Sequence, residues 1–276
     1  MHQDRNTVLS NSQTTFVGLI LSGGQSSRMD GDEKGLVKFN NHPMISYAVR
    51  ALAPLCDAVT ISCNHKFDDY QRILESERVS VHRSTASIAA NTDGIISDSV
   101  ENIAGPVAGI LSFLSSVETT PHTQLESVYC IVCSCDMPLV TTIEIEHLIE
   151  SALTEKASVT HFKNPSDSQK DFYFPVVLDL KRAIRACEDW LESPSNNSKK
   201  HSVKNWLSTV GAGRINRIHS RSQNPAIVFS SANSRQDLRR LEAAYKLNSA
   251  RWSIGLFIKG RDPLNTTSRQ KNTREA

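Results

Sequence analysis

Ser22, Gly23 and Gly24 follow the apolar run 16–21, and Arg28 and Lys34 stand six residues apart just beyond them. Glycines beyond the carboxyl end of a strand let backbone N–H groups approach phosphate oxygens. Arg28 would then offer a planar guanidinium that grips two oxygens, and Lys34 a compact ammonium that follows charge on a transferring phosphate. The spacing is neither G-x-x-x-x-G-K-[ST] nor G-x-G-x-x-G, which excludes the two commonest nucleotide loops. On this stretch alone, a phosphate loop and a plain strand-to-helix turn with solvated charges stand about equal.

A second carboxylate changes the balance. The run 129–138, Tyr-Cys-Ile-Val-Cys-Ser-Cys-Asp-Met-Pro, is an apolar strand that stops on Asp136, with Pro138 two residues later. An Asp at a strand's carboxyl end faces the same crevice as the glycine loop. Mg²⁺ prefers one or two carboxylates together with substrate phosphates, so Asp136 suits an ion bridging a nucleoside triphosphate. The structural alternative is an Asp capping the following helix. Cys130, Cys133 and Cys135 lack a second C-x-x-C, and strand alternation puts Cys130 on the face opposite Cys133 and Cys135, so they read as buried thiols and not as a zinc shell. The nine histidines show no H-E-x-x-H spacing. Asp30-Gly31-Asp32 fits a D-x-D pattern, but it lies in the first loop and not after a middle strand.

These residues need a sheet to bring them together. β-branched runs alternate with helical-period stretches, the pattern of βαβ units around a mostly parallel sheet. The expected fold is α/β, doubly wound, in three layers. Strands are predicted at 16–21, 58–62, 79–82, 128–134, 157–162, 172–178 and 226–230. Helices are predicted after Pro43 through Ile45, Val49 and Leu52, and from Gly105-Pro106 through Leu114. Others carry the faces Ile145, Leu148, Ile149, Ala152, Leu153 and Leu180, Ala183, Ile184, Cys187, Leu191, and a last one covers 235–247. Loops are expected at 84–97, 193–201 and 260–276. One domain is expected over 15–247, with a nucleotide-binding half (15–140) and a second half (141–247), between a flexible segment 1–14 and a polar tail 248–276.

Composition narrows the function classes. The 276 residues are 39% hydrophobic, enough for a sizeable core, and Lys plus Arg exceed Asp plus Glu by only 31 − 29 = 2. That balance gives no broad basic field for nucleic acid or an anionic membrane, so an anion site must be local. The first fifteen residues lack the apolar core of a signal peptide, and no window is apolar enough to span a bilayer. With six cysteines too sparse for a disulfide framework, a cytoplasmic protein with reduced thiols is expected.

Taken with the stretch Gly105-Pro106-Val107-Ala108-Gly109-Ile110, the two sites resemble the molybdenum cofactor guanylyltransferases, the MobA family of nucleotidyltransferases, over roughly residues 16–245. That family's pattern is L-[AS]-G-G-x-x-x-R-M-G, D-K-G-L, an Asp followed by G-P-[LV]-A-G, and C-D-x-P. Here these stand at 21–29, at Lys34-Gly35-Leu36, at Asp98 with 105–109, and at 135–138. The resemblance implies a Rossmann-like nucleotidyltransferase fold and transfer of GMP from GTP to molybdenum-bearing molybdopterin, giving pyrophosphate. It implies GTP contacts by Leu21, Ser22, Gly23, Gly24 and Lys34, a nucleoside contact by Asp98, and binding of nucleotide and Mg²⁺ by Asp136. Ser62 occupies a nucleotide-contacting position where the family has Asn, with Asn64 two residues on. Asp30 replaces a Gly and Glu33 an Asp. In the second half Phe174 replaces a His, and 229–238 keeps Asn233 of an N-x-N-T-P-x-D pattern.

The reaction so implied needs alignment and charge neutralisation more than a base, because the acceptor phosphate is already anionic. Lys34, Arg28 and Mg²⁺ on Asp136 are the expected catalytic groups. Partners would be GTP, molybdopterin, and molybdoenzymes or other cofactor-biosynthesis proteins. The rival readings are a nucleotidyltransferase using CTP or a sugar or polyol phosphate, and a nucleotide-binding partner without activity. Lys199, Lys200 and His201, or Arg235, Arg239 and Arg240, are either acceptor contacts or solvated faces.

Overall fold

A computed structural model describes residues 14–23, 33–77, 94–98, 103, 105–117, 127–167, 170–191 and 202–257, the last ten as backbone. Nine strands are described: β1 Thr15–Leu21, β2 Lys38–Phe39, β3 His42–Pro43, β4 Ala58–Ser62, β5 Gly94–Ile96, β6 Val128–Ser134, β7 Val159–Phe162, β8 Phe172–Asp179 and β9 Ile215–Ile218. The helices are α1 Met44–Leu52, α2 Phe67–Glu77, α3 Pro106–Val117, α4 Thr142–Glu155, α5 Leu180–Leu191, α6 Val203–Gly211, α7 Pro225–Val228 and α8 Arg235–Phe257.

Seven strands form one sheet in the order β5-β4-β1-β6-β8-β7-β9, and β2 pairs with β3 in a separate hairpin. Among the described strands of the seven-stranded sheet, β8 alone runs against its neighbours. β1 is parallel to both β4 and β6, and Leu21 registers with Ser62 on one side and Ser134 on the other. The ends of β1, β4 and β6 therefore lie side by side on the carboxyl edge.

Alternation along the strands splits the core into two layers. Phe16, Ile20, Ile131 and Cys133 pack under α1, α2 and α4, while Val17, Leu19, Cys130 and Val132 pack under α3, α5 and α6. Each such side chain taken fully from water contributes roughly 1.5–3 kcal/mol, so both helical layers are held firmly to the sheet. A third cluster, around Phe39, Met44, Tyr47 and Leu241, docks the β2–β3 hairpin against α8. Asn40 and Asn41 close that hairpin at φ 45° and 68°, the left-handed backbone that Asn tolerates better than most residues.

The structure differs from the sequence reading in several places. The strand predicted at 226–230 is the helical turn α7: Pro225 stands in its first turn, where a missing N–H costs nothing, and Phe229 N donates to Pro225 O at 2.9 Å. The outer strand is instead β9, Ile-Asn-Arg-Ile, whose apolar signal is only two residues strong. β5 lies inside the stretch read as a loop at 84–97. Helix α8 runs ten residues beyond 247, and α2, α6 and the hairpin were not predicted. Predicted strand 79–82, the loops 193–201 and 260–276, and Lys199, Lys200 and His201 lie outside the described residues. Among the described residues no helix is long and apolar enough to cross a membrane.

Candidate active site

The end of β1 is tied to both neighbours. Ser22 N donates to Ser62 O at 2.7 Å, and Cys135 N donates to Leu21 O at 3.1 Å. Beyond these bonds the chain opens at Gly23, whose lack of a side chain is a packing requirement: a Cβ there would come 2.9 Å from Asp98 Oδ2 and 3.3 Å from Asn64 Nδ2. Gly109 on α3 closes in from the other side, since its Cβ would lie 2.6 Å from Ser62 Oγ and 3.1 Å from Asp98 Oδ1. Asp98 is thus cradled between two glycines. Its Oδ1 accepts from Ser62 Oγ at 2.7 Å and its Oδ2 from Asn64 Nδ2 at 3.1 Å, while its backbone N–H donates to Asn64 Oδ1 at 3.0 Å. Ser62 and Asn64 both hold Asp98.

The second group of residues centres on Lys34, in a 3-10 turn over Lys34–Leu36. Its Nζ donates to Asp136 Oδ2 at 2.5 Å and to Asn233 Oδ1 at 2.5 Å. Ser134 Oγ donates to Asp136 Oδ1 at 2.6 Å, and Ala232 N to the Asp136 carbonyl at 2.8 Å. Asp136 does not cap the next helix: Thr141 does, in a reciprocal capping box with Glu144. Its carboxylate, with side-chain exposure of 8%, is committed to the crevice. A charge so buried persists only with such partners.

Asn233 is fixed in turn by the start of α8. Its backbone N–H donates to Asp237 Oδ2 at 3.2 Å, Ser234 Oγ donates to the same oxygen at 2.8 Å, and Asp237 N donates back to Ser234 Oγ at 3.1 Å. Asp237 stands four residues after Asn233, at the last position of N-x-N-T-P-x-D, so the segment keeps two residues of that pattern and not one. That spacing was the available signal for a link between the halves of the sheet. Ser134, two residues before Asp136, had no such signal.

Of the residues predicted for the site, Leu21, Ser22, Gly23, Lys34, Ser62, Asn64, Asp98 and Asp136 lie on the carboxyl edge, in one group around Asp98 and one around Asp136. Gly24, Arg28 and Asp30 lie outside the described residues. All six cysteines are reduced and buried, and burial pushes the Cys133 and Cys135 thiols up to about 12. Such thiols are neither nucleophiles nor metal ligands. Among the described residues no three His, Cys, Asp or Glu side chains gather as a metal cluster. One carboxylate with an adjoining hydroxyl fits Mg²⁺ only where nucleotide phosphates and water complete the shell.

A model of the MobA-like NTP transferase domain family matches residues 18–251. The chain belongs to the MobA-like NTP transferase family. Among curated members, the molybdenum cofactor guanylyltransferase of Pseudomonas putida KT2440 is 33% identical over 135 residues, covering 49% of this chain and 57% of its own length. The enzyme of that name from Pseudomonas putida F1 is 32% identical over 171 residues, 62% of this chain and 73% of its own. Two solved structures share the MobA-like fold. Molybdopterin-guanine dinucleotide biosynthesis protein A from Archaeoglobus fulgidus superposes with a TM-score of 0.55 at 17% identity, over 83% of this chain and 98% of its own. A nucleotidyl transferase from Methanothermobacter thermautotrophicus gives 0.57 at 12%, over 85% and 99%.

Proposed function

We propose that this nucleotidyltransferase moves GMP from GTP to the terminal phosphate of molybdenum-bearing molybdopterin, forming the guanine dinucleotide cofactor and pyrophosphate. The observation that carries the reading is the meeting of Lys34 Nζ, from the turn before β2, and Asp136 Oδ2, beyond the end of β6, on the carboxyl edge of the sheet. An acceptor phosphate oxygen attacks the α-phosphorus of GTP in line, a new P–O–P bridge forms, and pyrophosphate leaves with the bonding electrons. No group of the protein has to remove a proton from the acceptor.

The chain's own residues align and neutralise. Gly23 gives the nucleotide room beside the backbone, and Asp98, held by Ser62 and Asn64, orients the nucleoside. Lys34, beside Asp136, offsets charge on the phosphates, with Arg28 as a second cation. Bound Mg²⁺ would supply positive charge to the phosphates, and Asp136 with Ser134 would hold it. From the half 141–247, which would bind the acceptor, Asn233 gives Lys34 its second contact. Such a protein works in the cytoplasm, and molybdoenzymes or other cofactor-biosynthesis proteins take its product.

Removal of one preorganised electrostatic partner commonly lowers turnover by about 10²–10³. Lys34→Ala and Asp136→Ala are each expected to lose GMP transfer by that order in a steady-state assay with GTP and Mg²⁺. Near wild-type turnover in either variant overturns the assignment.

A further inference from the structure

Beneath the Lys34–Asp136 pair lies a polar contact that the reaction as described does not use. Tyr70 on α2 is fully buried, at 0% exposure, and Ser22, the residue just before the glycine loop, is 1% exposed. The Ser22 hydroxyl donates to Tyr70 OH at 2.7 Å. Next to Ser22, Leu21 O accepts from the backbone N–H of Cys135, the neighbour of Asp136, at 3.1 Å. Gly35, the neighbour of Lys34, lies directly against the pair: a Cβ on it would come 2.5 Å from Ser22 Oγ and 2.9 Å from Tyr70 OH. The pair of hydroxyls therefore joins the start of the glycine loop to the turn that carries Lys34, one residue from the bond that ties β1 to the strand end carrying Asp136.

We propose that Tyr70 is a positioning residue for nucleotidyl transfer, acting through Ser22 and Gly35 to fix the separation of Lys34 and Asp136. The inference rests on the GMP-transfer reading above. Packing alone would be served by a phenylalanine, and a buried hydroxyl is costly unless it is bonded. At Tyr70 the bond goes to Ser22, which lies against Gly35 and follows Leu21, the residue bonded to Cys135. Burial also keeps the phenol neutral, with its pKa pushed well above the ordinary value, so it remains a hydroxyl at every working pH. Because a phosphoryl-transfer site works by alignment, a small slip of Lys34 relative to Asp136 lowers turnover more than it lowers nucleotide binding.

The test is Tyr70→Phe, Ser22→Ala and the double variant in the full-length protein, with melting temperature, KM for GTP and kcat of GMP transfer measured for each. Each single variant is expected to lose on the order of tenfold in kcat with KM for GTP within about threefold, a shift that misalignment gives and lost binding does not. The double variant is expected to be no slower than the slower single one, since both changes delete one link. A Tyr70→Phe protein that melts lower but turns over at the wild-type rate makes Tyr70 a core residue only and overturns the proposal. If Tyr70→Phe does not fold, wild-type kcat in Ser22→Ala overturns it equally. Wild-type protein without GMP transfer sinks the underlying reading, whereas active wild type with unaffected variants sinks this inference alone.

Discussion

Asp98 and Asp136 are both carboxylates at strand ends, yet their surroundings differ in a way that assigns them different work. Asp136 shares its crevice with a cation, Lys34. Asp98 is met only by neutral donors, Ser62 and Asn64, among the contacts described. The first is arranged for phosphate charge and the second for the hydrogen-bonding groups of a nucleoside. Asp98→Asn keeps the shape and removes the charge, and hydrogen bonds to charged groups are worth about 1.5–3 kcal/mol. It is therefore expected to raise KM for GTP by roughly tenfold or more with kcat little changed. A kcat defect without a KM change would move Asp98 to the reacting phosphate. At this scale the sequence was readable where a residue type is rare for its place, as with an Asp ending an apolar strand. Tyr70 and Ser134 escaped because a buried Tyr and a strand-end Ser look like ordinary core and turn residues until their partners are seen.

Among the elements, α8 does more than cover the hairpin. Ser234 and Asp237 fix its first turn, and the same Asp237 oxygen holds the backbone of Asn233, which touches Lys34. Loss of a helix cap costs about 1 kcal/mol. Asp237→Ala is expected to lower stability by that amount in urea melts and, because Asn233 is released, to slow GMP transfer more than the few-fold that the unfolding accounts for. A variant whose activity tracks stability alone would confine Asp237 to capping. The strands β4 and β6 were legible to the residue, since central strands covered on both faces read as near-continuous apolar runs. The outer strand β9 and the turn α7 were exchanged because Ile215–Ile218 is short and half polar, whereas 226–230 is apolar enough to pass for a strand. The proline before it carried the correction.

For the molecule as a whole, Lys34 and Asp136 are 102 positions apart in the chain, and no local pattern joins them. The rule that ligands sit beyond the carboxyl ends of a parallel sheet brought them together in the sequence reading; what it left open was the pairing of Lys34 with Asn233 across the halves. Stability against pH is a second property of the whole. Burial holds the His161 pKa below 6.5, so its contribution is full above about 6.5 and is lost as pH falls. Burial raises the Cys63, Cys133 and Cys135 thiols from 9.0 to about 12, so their contribution is full below 9 and is lost as pH rises towards 12. Melting temperature is expected to level between those limits and fall on both sides, and a flat profile up to pH 11 would contradict the burial of the thiols. The central claim is tested most directly by incubating the purified protein with molybdenum-bearing molybdopterin, Mg²⁺ and equal GTP and CTP, and following the acceptor by mass spectrometry. A gain of one GMP with release of pyrophosphate is the expected result; a gain of CMP, or no gain with an acceptor that an authentic guanylyltransferase converts, would contradict it.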